Sequence, residues 1–299
     1  MYISSKADRA LRIAQEASPL GRGRVFWVRS TVGSDANPGT DPDAPLATTD
    51  AAKALCEANR GDIIYLMQGH AENIANATDL VCSVAGVSVI GLGEGNQVPA
   101  LTLTTAAAAT ISITAASVAL RNVRIIGGYA GGVNAAITLG GGADGAVLDG
   151  LVLEENTSNM EFLIGISIAA DCDDVTISNC YHDSTSGDQT SIISALGAAN
   201  RLRLLNNILF GNCVAAAVKL DVAASTSIQI EGNRVSNFDT DAGLGIAIHD
   251  SSTGWIHDNY VMNYKDTVVG LSGAGMSYGR NFYSNTVNKS CRITPAEDT

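Results

Sequence analysis

The sequence predicts an all-β fold in which one chain winds into a solenoid of about nine coils of short parallel strand. Three observations predict it. The first is a five-residue pattern, apolar, any, apolar, any, then a small or polar anchor. It recurs as Val87-Val89-Gly91, Val118-Leu120-Asn122, Ala146-Leu148-Gly150, Val175-Ile177-Asn179, Leu202-Leu204-Asn206 and Ile228-Ile230-Gly232, and in part as Gly254-Ile256-Asp258 and Arg280-Phe282-Ser284. The second is the interval between anchors: 31, 28, 29, 27, 26, 26 and 26 residues. The third is the residue after each of the last four anchors, which is Asn207, Asn233, Asn259 and Asn285.

Each observation has a physical meaning. Alternation with a period of two marks a strand with one buried face. A fixed spacing between such strands disfavours an antiparallel sandwich, which has no need of constant register over three intervals of 26 residues. Asparagines in register can hydrogen-bond from coil to coil at the strand spacing of ~4.8 Å, as amides do in cross-β stacks. They are read as a structural ladder. Three residues past each anchor stand Glu94, Ile125, Leu153, His182, Leu209, Val235, Val261 and Val287, a second inward position that is apolar six times in eight.

The elements follow in order. Residues 1–24 form an N-terminal arm with a short helix over 4–17, capped by Ser4 or Ser5, carrying a thin stripe of Ala7, Ala10, Leu11, Ala14 and Ala17, and stopped at Ser18-Pro19. Lys6, Arg9, Arg12, Arg22 and Arg24 make it a basic docking arm in an otherwise acidic chain. Residues 25–61 supply a strand at Val25–Val28, a turn-rich loop over 33–45, and a capping helix over 50–59 with Ala51, Ala52, Leu55 and Ala58 inward and Gly61 as its stop. The loop is no calcium site: Asp35 and Asn37 open like one, but Gly39, Thr40 and Leu46 occupy the fifth, sixth and twelfth places. The helix covers strand edges that the solenoid would otherwise leave bare. Residues 62–299 are the coils.

Composition agrees and excludes some functions. The 299 residues are 46% apolar but only 5% aromatic and 16% charged, with 31 glycines, a balance suited to tightly stacked strands. Thirty acidic against 18 basic side chains give a net charge of −12, which removes the phosphate attraction on which nucleic-acid binding depends. No signal peptide is visible at the N-terminus and no apolar run reaches a membrane-spanning length, so neither secretion nor a membrane partner is expected. Cys56, Cys82, Cys172, Cys180, Cys213 and Cys291 lack the spacing of a metal site or a disulfide framework and are read as free thiols.

The run GSDANPGTDPDAPLATTDAAKALCEANRGDIIYLMQGHAENI, residues 33–74, resembles the beginning of pectin-lyase-like right-handed parallel β-helices, especially those of tailed-phage structural proteins. In that family a Gly-Ser-Asp, Gly-Thr, Pro loop leads into a capping helix and Gly-Asp-x-Ile opens the first coil, here Gly61-Asp62-Ile63-Ile64. The resemblance implies a right-handed coil and a homotrimer. For function it implies a phage virion protein, expected to be a capsid decoration or cement protein that binds the assembled head. Its partner would be the major capsid protein or another virion protein, in a particle assembled in the host cytoplasm. The alternative is a tailspike-like polysaccharide depolymerase, and a third reading is a cellular β-helix binding module.

Catalytic candidates are few. Glycoside hydrolysis needs two carboxylates flanking the bond, and the pair in register is Glu154 and Asp183, each four residues past its anchor, with Glu155 beside them. Asp171, Asp173 and Asp174 read as a solvated turn. His249-Asp250 and His257-Asp258 are not ready acid–base pairs, because neighbours in a strand face opposite ways. His70 and His182 are single, with no zinc spacing among the four histidines. Aromatic platforms for sugar are scarce by count, with two Trp and five Phe. The expectation is a non-enzyme with no catalytic residue, cofactor or metal, Glu154 and Asp183 serving the alternative. Deleting residues 1–20 is expected to leave the coils folded by circular dichroism while particle binding falls sharply, since so short a helix cannot stand alone. Normal particle binding, or unfolding, would contradict this reading of the arm.

Overall fold

The computed structural model describes residues 23–157, 160–184, 189–239, 243–264, 272–284 and 292–294. They form a right-handed parallel β-helix, the hand that parallel crossovers take almost without exception. Each coil runs through three strands of two to five residues, one in each of three sheets. Sheets 1 and 2 have ten strands each and sheet 3 has seven. Seven coils therefore carry all three strands, against the nine expected, and partial coils lie at both ends. Every pairing is parallel except the last, Asn281–Ser284 with Arg292–Thr294.

The tight corner between sheets 1 and 2 sets the register. Its first residue is the sequence anchor, and its chemistry has a backbone cause: Asn122, Gly150, Asn179, Asn206, Gly232 and Asp258 all have φ between 53° and 68°. Only Gly, and less readily Asn or Asp, adopts this left-handed conformation without large strain. The next residue turns inward and is buried: Val123, Leu151, Cys180, then Asn207, Asn233, Asn259 and Asn281. Asn207 Nδ2 donates to Asn233 Oδ1 and to the carbonyl of Ile177, and Asn207 N–H donates to the same Oδ1, each at 2.9 Å. Asn233 repeats this on Asn259, and Asn259 on Asn281. Asn285 lies outside the described residues, and the fourth rung is Asn281, because the last coil spans 22 residues rather than 26.

Inward columns follow from that register. In sheet 1, Ile64, Val89, Leu120, Leu148, Ile177, Leu204, Ile230 and Ile256 stack one per coil. All are buried, each contributing on the order of 2 kcal/mol of apolar burial. In sheet 2 the column runs Leu101, Ile125, Leu153, His182, Leu209, Val235 and Val261. Leu101 takes the place expected of Glu94, because a 3₁₀ turn at Gly95–Gln97 delays the strand. Val287 lies outside the described residues, and Tyr283 is the partner of Val261.

The N-terminal end is closed as predicted, with different bounds. Loop residues pair with the free edge of Val25–Val28: Trp27 N–H donates to Gly39 O, Arg29 N–H to Leu46 O, and Leu46 N–H to Trp27 O, at 2.7–2.9 Å. Asp35 locks this loop by accepting from Ala47 N–H, Thr48 N–H and the Thr48 hydroxyl. The helix is Thr49–Ala54, shorter than 50–59, and Thr48 caps it. It stops early because Glu57 N–H is taken by Asp62 Oδ2 at 2.8 Å. Asp62 is fully buried and also binds Arg60 and Arg24 N–H. Burial alone would raise its pKa, but the Arg60 guanidinium and the two N–H groups outweigh it and hold the carboxyl below the usual range. Arg24 is thus tied to the first coil rather than to a separate arm, while Lys6, Arg9, Arg12 and Arg22 lie outside the described residues.

Asn233→Ala removes the acceptor of two buried Asn207 donors and is expected to cost about 3 kcal/mol in urea unfolding. Gln229→Ala, on the outer face of sheet 1, should stay within about 0.5 kcal/mol. Equal effects would contradict a stabilising ladder.

Candidate functional site

The interior holds the polar groups that the sequence singled out, and it closes most of them off. His182 is fully buried between Leu153 and Leu209 in the sheet 2 column. Its Nδ1 lies 3.3 Å from Leu153 O and its Nε2 meets the Gln189 amide. Burial lowers its pKa against those bonds, so the ring is neutral. His70 is buried too, with Nδ1 accepting from Ser30 N–H and Nε2 on Glu72, whose carboxylate also receives the Thr49 N–H and hydroxyl. Both histidines are structural. Five cysteines are free, and Cys291 lies outside the described residues. Burial pushes Cys56, Cys82 and Cys213 up to about 12 and Cys172 up to about 11, so these thiols are not nucleophiles.

The surface candidates divide. Asp173 accepts from Asn200 N–H and Nδ2, and Asp174 accepts from Arg201, so this acidic turn is a solvated corner as expected. Among the described residues no group of His, Cys, Asp and Glu could hold a metal ion. His257 corrects the strand argument: its Nδ1 does reach Asp258 Oδ2, at 3.1 Å, because Asp258 has left the strand at the left-handed corner with φ 56°. The pair is still no free base, since the other ring nitrogen lies 3.5 Å from Glu231 and Asp258 is held by Arg280. His249 accepts from Ser251 N–H instead of meeting Asp250.

Glu154 and Asp183 do come together. They are paired residues on adjacent strands of sheet 2, Val152–Glu155 and Tyr181–Asp183, both pointing outward. Arg124, one strand earlier, grips Glu154 with Nε on Oε1 at 3.0 Å and Nη2 on Oε2 at 2.5 Å. The Tyr181 hydroxyl donates to Asp183 Oδ2 at 3.1 Å. Burial, then the bond to Asp183 and its charge, raise the Tyr181 pKa, so it remains a phenol donor.

Composition concealed what lies beside them. Continuing along the same outer face, one column reads Arg124, Val152, Tyr181, Ile208, Arg234, Tyr260, Phe282 and the other Ile126, Glu154, Asp183, Phe210, Ser236, Met262, Ser284. Four of the chain's few aromatics thus share one face. Tyr260 and Phe282 stack at 4.7 Å with 10° between planes, and Arg234 lies 5.8 Å from the Tyr260 centroid. Together with Phe210 and the short side chains of Ser236 and Ser284 they border a trough of about 230 Å³. Constant register was the signal available for this face: residues two and four past the anchors Asn122, Gly150, Asn179, Asn206, Gly232 and Asp258 are its outward columns, while Ser284, expected as an anchor, itself stands in the second column because the last coil is short.

No known protein family matches the sequence, and no curated protein does. Among solved structures the chain is similar to a pectin methylesterase from Aspergillus niger, at 13% identity and a TM-score of 0.47 over 93% of this chain and 94% of that one. It is also similar to a rhamnogalacturonan lyase (13%, TM-score 0.35, 91% and 90%) and to a GH136 lacto-N-biosidase from Eubacterium ramulus (12%, TM-score 0.38, 93% and 69%). Likeness at this level assigns the chain no activity.

The buried imidazole gives a testable pH dependence. A depressed histidine pKa means that the unfolded chain takes up the proton more readily, so stability present above pH ~6.5 is lost as pH falls through the folded value. Urea midpoints should therefore drop between pH 7 and pH 5 in the native chain and drop less in His182→Gln. An unchanged slope in the variant would assign the loss to other groups.

Proposed function

We propose that the protein acts on polysaccharide, as a β-helix hydrolase whose working face is the outside of sheet 2. The observation that carries this reading is the placement of two carboxylates in register at one end of an apolar and aromatic trough on the same face. Neighbouring strands lie ~4.8 Å apart. Backbones this close allow the ~5–5.5 Å between carboxyls that a retaining reaction needs, and we take that reaction over an inverting one, which must leave room for water.

Roles follow from the bonds. Glu154, with both oxygens on the Arg124 fork, is the fixed anionic carboxylate and attacks the anomeric carbon. Asp183 acts as the acid in its protonated form, with its other oxygen accepting from the Tyr181 hydroxyl, and gives that proton to the departing glycosidic oxygen. It then takes one from the water that hydrolyses the glycosyl ester, which restores both groups. Tyr181 orients Asp183.

A second reading, a capsid decoration protein trimerising on a phage head and bound to its major capsid protein, is favoured by the resemblance of residues 33–74 alone. It would place the protein in the virion.

Glu154→Gln and Asp183→Asn should each reduce release of oligosaccharide from capsular or lipopolysaccharide substrates at least about a hundredfold. NMR of the first product formed by the native protein should show the anomeric configuration retained. No cleavage of any polysaccharide by the native protein, or full activity in both variants, would overturn the hydrolase.

A further inference from the structure

We infer that the trough around Arg234 is a binding subsite for a negatively charged saccharide unit, held two to four strands away from the Glu154–Asp183 pair. The inference rests on the polysaccharide reading and names the class of glycan involved.

Shape comes first. Arg234, Tyr260 and Phe282 are consecutive residues of one outward column, and Ser236, Met262 and Ser284 are the matching residues of the other. The first column is tall: the Tyr260 and Phe282 rings lie face to face, and the guanidinium caps the Tyr260 face. The second column is low, because two of its three residues are serines. Phe210 closes the end nearer the carboxylates. The result is a trough that runs along the solenoid axis, with an aromatic wall and a floor carrying hydroxyls. Sugar C–H surface fits such a wall, and sugar hydroxyls fit such a floor.

Charge then selects among sugars. This chain has a net charge of −12, and among the described residues Arg121 is matched to Asp149, Arg124 to Glu154, Arg201 to Asp174 and Arg280 to Asp258. Arg234 is exposed, and among the described residues its guanidinium has no carboxylate partner. Stacking on Tyr260 holds it in place with its N–H edge free. A guanidinium so held matches a carboxylate, sulfate or phosphate by paired charge-assisted hydrogen bonds. Asp183 lies two strands before Arg234, or ~10 Å at the strand spacing. A glycan chain laid along the axis with its scissile bond at the carboxylates therefore places a later unit on Arg234.

The test uses the full chain carrying Glu154→Gln, so that binding is read without turnover. Four probes are titrated calorimetrically: alginate oligosaccharide for carboxylate, dextran sulfate oligosaccharide for sulfate, neutral dextran oligosaccharide, and poly-glutamate as an anion without sugar. At least one anionic saccharide should bind at least about tenfold more tightly than neutral dextran and poly-glutamate. Arg234→Ala should remove that preference and Tyr260→Ala should weaken binding about tenfold, both with unchanged thermal unfolding. The preference should also decline as salt is raised.

Binding of anionic and neutral sugars alike, or a preference that survives Arg234→Ala, would overturn the subsite while leaving the polysaccharide reading intact. Equal binding of poly-glutamate would overturn the saccharide assignment. Arg234-dependent binding without any cleavage by the native chain would sustain the subsite and overturn the hydrolase. No binding by any probe would overturn the subsite.

Discussion

The structure depends on one corner, the two-residue turn between sheets 1 and 2. A left-handed anchor reverses the chain, and the next side chain drops into the interior. Because the second residue is a buried asparagine in four successive coils, the same amide bonds to the coil before it and to the one after it. A slip of one residue would bury an outward column and leave several amide donors unpaired, each at a cost of about 1–3 kcal/mol. The register of sheet 2 is therefore strongly fixed, and with it the order of the side chains on its outer face.

That order separates structure from chemistry. Inside the solenoid His182 is neutral against Gln189, Asp62 is neutralised by Arg60, and the thiols are suppressed by burial. None of these groups is presented to a substrate. Groups on the outer face of sheet 2 face solvent, and the same repeat that stacks leucines inward aligns Glu154 with Asp183 and Arg234 with Tyr260 outward. A solenoid can vary the outward columns at little cost to its stability, since each substitution there leaves the inward columns intact.

Much of this was legible in the sequence, and the failures are instructive. The solenoid and three of the four ladder rungs followed from spacing, because constant spacing is what stacking requires, and the helix at the N-terminal end followed from its apolar residues. The fourth rung moved to Asn281 where the interval shortened to 22, since Asn285 preserved the period but not the coil. Glu94 misled for the related reason that a 3₁₀ turn lengthened its coil. The anchors were recognised as small or polar, yet their left-handed backbone was not. That oversight also hid the His257–Asp258 bond, which a continuous strand would forbid. Aromatic count argued against a sugar-facing surface; register, which composition cannot see, gathered Tyr181, Phe210, Tyr260 and Phe282 onto one face.

Hydrogen–deuterium exchange tests the central constraint most directly. If the corner fixes the solenoid, the amide hydrogens of Asn207, Asn233 and Asn259, which donate to the next rung's Oδ1, will exchange as slowly as those of the inward strands. Exchange at these corners as fast as in the exposed turns would contradict it, because the outer face of sheet 2 would then have no fixed register.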